Sequence, residues 1–128
     1  MTGRLKINLT ASILIAWMKA CALTYGVDPE FAQAVAIVES RPQGGGMEMR
    51  FGPLGRSGNF VGPMGLNRCF AGKYDIYNPW ENIRVGVAAL RGNELKALRR
   101  YNTRCNPAYI SEVMRIKRKI KEGPCGTG

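Results

Sequence analysis

The sequence places one carboxyl group where it could act in acid–base chemistry. Glu39 lies in the last turn of an apolar helix that is predicted to begin after Asp28 and to stop at Arg41, directly before a glycine-rich segment. Burial there would disfavour the charged form of the carboxyl, and the negative end of the helix dipole would act in the same direction. A carboxyl that keeps its proton near neutral pH can serve as a general acid. The alternative is an exposed Glu paired with Arg41 or another cation, and position alone favours this alternative.

The residue types that are absent narrow the chemistry further. The chain of 128 residues has no histidine, which excludes Ser–His and Cys–His nucleophiles, imidazole acid–base catalysis and His-based zinc sites. Proton transfer must then use carboxylates, Lys, Tyr or Cys. The four cysteines form no CxxC pair, which gives a structural zinc site little support, and we predict no metal and no cofactor. The cysteines could form up to two disulfides in an oxidising compartment or remain small buried side chains.

The elements that must position Glu39 are mostly helical. Apolar residues at helical spacing predict helices from Leu14 to Tyr25, after Asp28-Pro29, after Asn78-Pro79, between Gly92 and Tyr101, and past Pro107. Glu81 is placed to complete a capping box with Asn78. Residues 43–65 are rich in glycine and predict loops or a small irregular β-hairpin. We therefore predict a mainly α single domain over residues 1–128, with a core over about 14–120 and a loose tail over 121–128.

The N-terminal stretch resembles a signal peptide only in part. Arg4 and Lys6 precede an apolar run over 7–18, but polar residues interrupt the run and Lys19 follows it directly. The run is too short to span a membrane. We therefore predict no membrane span and expect the run to lead into the first core helix.

The net charge of +10 favours a polyanionic partner. Nucleic acid, anionic membrane and bacterial wall polymers all satisfy this condition, and charge alone does not choose among them. The last predicted helix has a basic outer side that could bind nucleic acid, formed by Arg115, Lys117, Arg118, Lys119 and Lys121. The favoured interpretation is a solvated face that also attracts anionic wall polymer.

Five short segments, taken in order, resemble the SLT-type lytic transglycosylases, a family with a lysozyme-like fold related to goose-type lysozyme. Tyr25-Gly26-Val27-Asp28-Pro29, followed by Ala34-Val35-Ala36-Ile37-Val38-Glu39-Ser40, is similar to the family's opening helices. Gly62-Pro63-Met64-Gly65-Leu66 looks like its Gly-x-Met-Gly-Leu segment. Asn78-Pro79-Trp80-Glu81-Asn82-Ile83 with Gly86 looks like its Asp/Asn-Pro-x-x-Asn-Ile-x-x-Gly helix start. Tyr101-Asn102 stands where the family has Tyr-Asn-Ala-Gly, and Tyr109 with Val113 resembles its closing Tyr-x-x-x-Val helix. Each segment is weak alone, and their common order over roughly residues 14–118 carries the resemblance.

The resemblance implies a lysozyme-like α fold and cleavage of the β-1,4 bond between MurNAc and GlcNAc in peptidoglycan. Glu39 matches the family's single catalytic Glu. As acid it would protonate the glycosidic oxygen, and as base it would then take the proton of the MurNAc C6 hydroxyl, which leaves a 1,6-anhydro sugar. The substrate's own acetamido group would stabilise the cationic centre, so no second carboxylate is required, unlike the plan of most glycosidases.

The resemblance also assigns substrate-binding roles, at Ser40, Met64, Gly65, Leu66, Asn67, Tyr101 and Asn102. Ser40 would orient the acid or hydrogen-bond substrate, or else only cap the helix end. Residues 64–66 would line the cleft, although Met64 could equally belong to the core. Tyr101 would hold its hydroxyl near Glu39, and Asn102 would bind sugar or hold its loop.

The chain departs from the family pattern at two places. The family often has Gly-Leu-Met-Gln where this chain has Gly65-Leu66-Asn67-Arg68, so Asn67 or Arg68 replaces a glutamine that commonly contacts substrate. Thr103-Arg104 likewise replaces the family's Ala-Gly. Cys69 and Cys105 follow these two segments closely, and we hypothesise that a disulfide between them braces the cleft.

Other functions stay open beside this one. A hydrolytic goose-type lysozyme would share the fold and the acid, but it would use Asp75, Glu48 or Glu81 to deliver water to the anomeric carbon. A non-catalytic wall-binding or nucleic-acid-binding module is the other class. We expect a monomer that acts on glycan strands in the periplasm or cell envelope, and one alternative for its context is a secretion, conjugation or phage tail apparatus. The resemblance leaves the export route open, as a secreted or a phage-derived protein, and it does not imply a nucleic-acid partner.

Overall fold

The described part of the chain is mainly helical, as predicted. The computed structural model describes residues 2–40, 60–67, 69, 72–101 and 106–123, with residues 2–11 and 60 described by their backbone alone. Its helices are α1 (Thr2–Tyr25), α2 (Pro29–Ser40), α3 (Pro79–Ala88), α4 (Glu94–Tyr101) and α5 (Pro107–Glu122). Two short strands, β1 (Phe60–Val61) and β2 (Leu66–Asn67), pair antiparallel with Phe60 opposite Asn67 and Val61 opposite Leu66. β1 lies at the end of the predicted glycine-rich region 43–65 and β2 follows directly after it, while residues 43–59 lie outside the described residues.

The centre of the fold is α2, which carries Glu39 at its end. Its buried residues are Phe31, Ala32, Ala34, Val35, Ala36, Ile37, Val38 and Ser40. Because most of these side chains are small, the helix packs closely against both α1 and α5. α1 in turn packs against α3. The carboxyl of Glu39 therefore sits on a helix that is fixed by two neighbours.

Two helices begin where the sequence predicts. The side chain of Asp28 accepts a hydrogen bond from the Glu30 N–H at 3.0 Å, ahead of Pro29. Asn78 caps α3 and accepts from the N–H groups of Trp80 and Glu81. The predicted capping box is wrong in its second half, since the Glu81 carboxylate binds the Arg84 guanidinium at 2.8 Å and 2.9 Å instead. Such a two-point bond between charged groups is stronger than a bond to one backbone N–H.

α1 is longer than the apolar spacing predicts. It begins at Thr2 rather than near Leu14 and ends at Tyr25, directly before Gly26, whose φ of 72° takes the chain out of the helix. The buried face of α1 starts at Leu14, as predicted for the core. No helix among the described residues is both long enough and apolar enough to cross a membrane.

α5 extends past the predicted end of the core. It runs to Glu122, so the first two residues of the predicted tail are helical, and residues 124–128 lie outside the described residues. The extension has a tertiary cause, because Lys121 binds Asp28 at 3.0 Å and Glu30 at 3.2 Å on α2 and its cap. Sequence spacing within α5 could not predict these contacts.

An ion-pair cluster joins the beginning of α2 to α4 and α5. Lys117 lies 2.7 Å from a carboxylate oxygen of Glu94 and 3.6 Å from one of Asp28. Burial alone would raise the pKa of Asp28, but hydrogen bonds from Lys121 and from the Glu30 N–H, with the charges of Lys121 and Lys117, lower it below its ordinary value. The cluster thus stabilises the folded chain while Asp28 is ionised.

Candidate functional site

Glu39 is half-buried in the last turn of α2 and is bound by a residue from the other end of the chain. The hydroxyl of Tyr109, in the first turn of α5, donates a hydrogen bond to Glu39 Oε2 at 2.7 Å. The packing of α5 on α2 brings the two residues together. One carboxylate oxygen is therefore fixed by a neutral donor.

The turn between β1 and β2 lies directly against the other side of the same carboxyl. Gly65 has a φ of 58°, and a Cβ added there would lie 2.6 Å from Glu39 Oε1 and 2.9 Å from Glu39 Cβ. Any side chain at this position would force Glu39 or the turn to move, and the left-handed backbone adds strain for residues other than glycine. The position accordingly requires glycine for both space and backbone conformation.

A fully buried amide on α3 holds this turn in place. Asn82 Oδ1 accepts from the Met64 N–H at 2.9 Å, while Asn82 Nδ2 donates to the carbonyls of Val61 and Ile76 at 2.8 Å and 2.9 Å. Asn82 has no exposed surface. One side chain therefore pairs three backbone groups that would otherwise need other partners.

Two further side chains fasten the turn to α2 and α4. The Ser40 hydroxyl donates to the carbonyl of Pro63, and the Tyr101 hydroxyl donates to the carbonyl of Met64. Gly86 on α3 leaves room for this arrangement, since a Cβ there would lie 2.5 Å from Met64 Cβ. Residues 62–66 are therefore held from α2, α3 and α4 at once.

Both tyrosines at the site are kept in their protonated, donating form. Burial raises the pKa of the Tyr101 hydroxyl well above its ordinary value, and the charge of Glu39 raises it further. Burial likewise raises the pKa of the Tyr109 hydroxyl far above its ordinary value, with a second contribution from Glu39. A phenol in this state donates a proton in a hydrogen bond without giving the proton up.

The predicted site residues divide into structural and accessible ones. Met64 and Leu66 are buried at 0% and 3% exposure, so their side chains belong to the core in this structure. Ser40 is also buried, with its hydroxyl bonded to the turn. Asn67 is exposed, and its Oδ1 accepts from the Cys69 N–H at 3.0 Å.

Two residues of the predicted site, Asn102 and Cys105, and the alternative substrate contact Arg68 lie outside the described part of the chain. Asn102 and Cys105 are both in the segment 102–105, for which the structure gives no description. Cys69 is exposed. Because Cys105 is not described, the hypothesis of a Cys69–Cys105 disulfide stays a prediction.

Sequence reasoning did not assign a role to Tyr109 or to Asn82. Both belong to segments that carry the family resemblance, which was the available signal. Sequence spacing does not predict the partner of either side chain. The Tyr109–Glu39 hydrogen bond joins residues 70 positions apart, and the Asn82–Val61 hydrogen bond joins residues 21 positions apart.

The described residues do not offer an obvious second acid or a metal site. No group of three or more His, Cys, Asp or Glu side chains suited to a metal occurs among them. Of the carboxylates that a hydrolase would use to place water, Asp75 is exposed, Glu81 is bound to Arg84, and Glu48 lies outside the described residues.

Around one half-buried carboxyl the chain thus assembles a glycine turn, two neutral tyrosine donors and a buried amide that fixes the turn. Such a site can give and take a proton at Glu39 Oε1 or Oε2 while its geometry stays fixed. Comparisons with protein-family models, with curated proteins and with solved structures find no match to this chain.

Proposed function

We propose that the chain is a peptidoglycan lytic transglycosylase with a lysozyme-like fold, in which Glu39 is the catalytic acid and base. One observation carries the proposal: segments far apart in the sequence that resemble this family contact one another around the Glu39 carboxyl. Gly65 and Tyr109 touch the carboxyl itself. Asn82 and Tyr101 hold the turn that contains Gly65. Chance resemblance in separate segments gives no reason for them to converge on one acidic group.

The environment of Glu39 suits a group that must change protonation during one reaction. In the first step the carboxyl would give its proton to the glycosidic oxygen between MurNAc and GlcNAc, which leaves as an alcohol when the bond to the anomeric carbon breaks. In the second step the carboxylate would take the proton of the C6 hydroxyl as that oxygen bonds to the anomeric carbon. The proton balance closes without water, and the product is a 1,6-anhydro sugar.

Tyr109 has a defined place in this cycle. Its hydroxyl donates to Glu39 Oε2, and a donor stabilises the carboxylate more than the neutral acid. On the side of Glu39 Oε1, the absence of a side chain at Gly65 lets the backbone of the turn approach the carboxyl.

The proposal includes the expected cellular setting. The substrate is the glycan strand of peptidoglycan, and the site of action is the periplasm or cell envelope, with a secretion, conjugation or phage tail apparatus as one alternative for its context. The high positive charge suits a wall that carries anionic polymers, because it raises the local concentration of the enzyme at its substrate. Of the side chains at the turn, Asn67 would contact the substrate, because it is exposed whereas Met64 and Leu66 are buried.

The decisive experiment is digestion of purified sacculi by the wild type and by Glu39→Gln, with mass analysis of the soluble products. We expect the wild type to release fragments that end in 1,6-anhydroMurNAc and the variant to release essentially none. Glu30→Gln is the matched control, because Glu30 lies in the first turn of the same helix and binds Lys121 rather than the site. Thermal unfolding of both variants checks that they are folded.

The products also decide between mechanisms. Fragments with reducing ends, heavier by one water, would identify a hydrolase of the goose-lysozyme kind that uses the same acid. Equal digestion by the wild type and Glu39→Gln would overturn the assignment of Glu39. Intact sacculi after treatment with folded wild-type protein would instead favour a wall-binding module without catalysis.

A further inference from the structure

One side of α1 is apolar and faces away from the core. Ile13, Ala16, Trp17, Ala20 and Leu23 recur at helical spacing and are all exposed, with 56% of Ile13 and 74% of Leu23 accessible to solvent. We call these five residues the outer face of α1. A helix that packs one side on a core normally presents polar residues on its opposite side. The outer face therefore requires an explanation other than folding.

Trp80 at the beginning of α3 extends this face. The rings of Trp17 and Trp80 meet edge to face with their centroids 6.2 Å apart, and each remains partly exposed. Tryptophan is the residue most characteristic of membrane–water interfaces, where its large ring enters the boundary between headgroups and acyl chains.

Two polar groups at the face, the Trp17 indole and the Thr24 hydroxyl, already have partners within the protein. Trp17 Nε1 donates to the Trp80 carbonyl at 2.9 Å, and the Thr24 hydroxyl donates to the Ala20 carbonyl at 3.0 Å. Removing the face from water would therefore leave these donors paired, which lowers the free-energy cost of burying it. A sugar ligand would need free donors and acceptors beside the rings, and these two donors are already engaged. An apolar partner fits better than a glycan.

The charge of α1 identifies the kind of apolar partner. The helix contains Arg4, Lys6 and Lys19 and no Asp or Glu, and Lys19 is exposed beside the outer face. The whole chain carries +10. A helix with exposed Trp, Ile and Leu and only basic charges is complementary to the surface of a bilayer that contains anionic lipid. Lysine beside such a face keeps its ammonium group among the headgroups while its carbon chain covers apolar surface.

We infer that the outer face of α1, together with Trp80, binds the surface of an anionic lipid bilayer with the helix lying in the interface. Ile13, Trp17 and Leu23 enter the boundary of the acyl chains, and Lys19 contacts lipid phosphate. The helix lies on the membrane and does not cross it. This inference goes beyond the proposed glycan chemistry and does not require Glu39.

The chain provides its own probe for this interaction. Its two tryptophans are Trp17 and Trp80, so its intrinsic tryptophan fluorescence reports on this surface alone. The protein is titrated with vesicles of phosphatidylcholine and with vesicles in which part of it is replaced by phosphatidylglycerol. We expect the emission to move to shorter wavelength, and to be quenched by brominated acyl chains, with the anionic vesicles only. Raising the salt concentration should weaken the binding by screening.

Variants on the surface make the test specific. Leu23→Ser removes the most exposed apolar side chain of the face, and it should lower the vesicle partition coefficient on the order of tenfold. Leu95→Ser is the matched control, because Leu95 is an exposed leucine on α4, outside the outer face. Glu39→Gln should bind vesicles as the wild type does, so a failure of the proposed enzymatic function leaves this result unaffected.

Three outcomes would overturn the inference. One is an emission spectrum unchanged by anionic vesicles, and another is equal binding to purely zwitterionic vesicles. The third is binding that Leu23→Ser and Leu95→Ser affect alike. A concentration-dependent dimer that Leu23→Ser abolishes, with no vesicle binding, would instead show that the face joins two copies of the chain.

Discussion

Replacing Asn82 by Leu tests whether the buried amide holds the turn beside Glu39. Leucine has the same number of side-chain heavy atoms and the same branching at Cγ, so the substitution leaves little cavity but removes the hydrogen bonds to Met64, Val61 and Ile76. Each bond contributes about 1 kcal/mol net, and a buried donor or acceptor left unpaired costs about 1–3 kcal/mol. Three backbone groups lose their partner, so we expect the free energy of unfolding to fall by at least about 3 kcal/mol, against a total of about 5–15 kcal/mol for a typical domain.

Urea denaturation measures this loss, and sacculus digestion measures its effect on the site. Asn78→Ala is the control on the same helix, because Asn78 is an exposed cap whose loss costs about 1 kcal/mol and leaves the turn intact. If Asn82→Leu and Asn78→Ala lose the same free energy, the amide does not hold the turn and the reasoning fails. Asn82→Asp provides a second measurement should the leucine variant not fold.

Asn82→Asp separates accepting from donating at the same position. A carboxyl can still accept from the Met64 N–H, but when ionised it cannot donate to the carbonyls of Val61 and Ile76. Burial beside two carbonyl oxygens would raise the pKa of the introduced carboxyl in the folded state above its unfolded value. Stability is then greatest below the unfolded pKa and is lost as pH rises through the folded pKa. A variant whose stability rose from acid to neutral pH relative to the wild type would contradict this.

Three further substitutions probe the site and the ion-pair cluster. Gly65→Ala puts a methyl group 2.6 Å from Glu39 Oε1 at a φ of 58°, and displacing the acid should lower sacculus digestion on the order of 100-fold. Tyr109→Phe removes the donor to Glu39 Oε2, and since that bond favours the carboxylate, the NMR titration of the Glu39 carboxyl should move to higher pH. Asp28→Asn removes a carboxyl whose pKa is lowered in the folded chain. Burial would raise this pKa, but the hydrogen bonds and charges of Lys121 and its neighbours outweigh that effect. Such a carboxyl stabilises the fold at pH values above its unfolded pKa, and this stabilisation is lost as the pH falls through the folded pKa. Thermal unfolding should therefore show the variant less stable than the wild type at neutral pH and close to it in strong acid.

Each of these has a control or a contradicting result. Gly26→Ala also changes a glycine with positive φ, but a Cβ there meets nothing within 4 Å, so it should lower stability modestly and keep activity. If Gly65→Ala keeps activity as well, the contact with Glu39 is not functionally important. A titration unmoved by Tyr109→Phe, or an Asp28→Asn variant equally weakened at both pH values, would refute the corresponding argument.

The beginnings of the helices could be predicted from sequence because their causes are local. Asp28-Pro29 and Asn78-Pro79 each place a capping side chain one residue before proline, and the structure uses both caps. The extension of α5 to Glu122 has a distant cause, the pairing of Lys121 with Asp28 and Glu30. The spacing of apolar residues and the helix propensity within a segment carry no information about a partner elsewhere in the chain.

The candidate site was predictable in its residue types but only partly in their roles. The position of Glu39 at the end of an apolar helix made it a candidate acid, and the resemblance of the segments around it favoured that interpretation over an exposed, paired Glu. Met64 could be expected either in the cleft or in the core, and the structure decides for the core because Asn82 fixes its N–H and Gly86 admits its side chain. Tyr109 required the packing of α5 on α2, which no local pattern specifies.

The close contacts at the site form a continuous path from α3 to the carboxyl, and this path explains why the turn must be rigid. A Cβ added at Gly86 would lie 2.5 Å from Met64 Cβ, so only glycine leaves room for Met64 at this point of α3. Gly65 follows Met64 in the chain, and a Cβ added there would lie 2.6 Å from Glu39 Oε1. A Cβ at either glycine would overlap its neighbour, so the chain is closely packed here and a shift at one end of the path moves the other. A displacement of α3 would therefore reach Glu39 through the turn, so in the proposed reaction residues away from the substrate would control where the Glu39 proton is delivered. Activity should consequently be more sensitive to changes in the Gly86–Met64–Gly65 path than to changes of the exposed Asn67, whose side chain can be replaced without moving the acid.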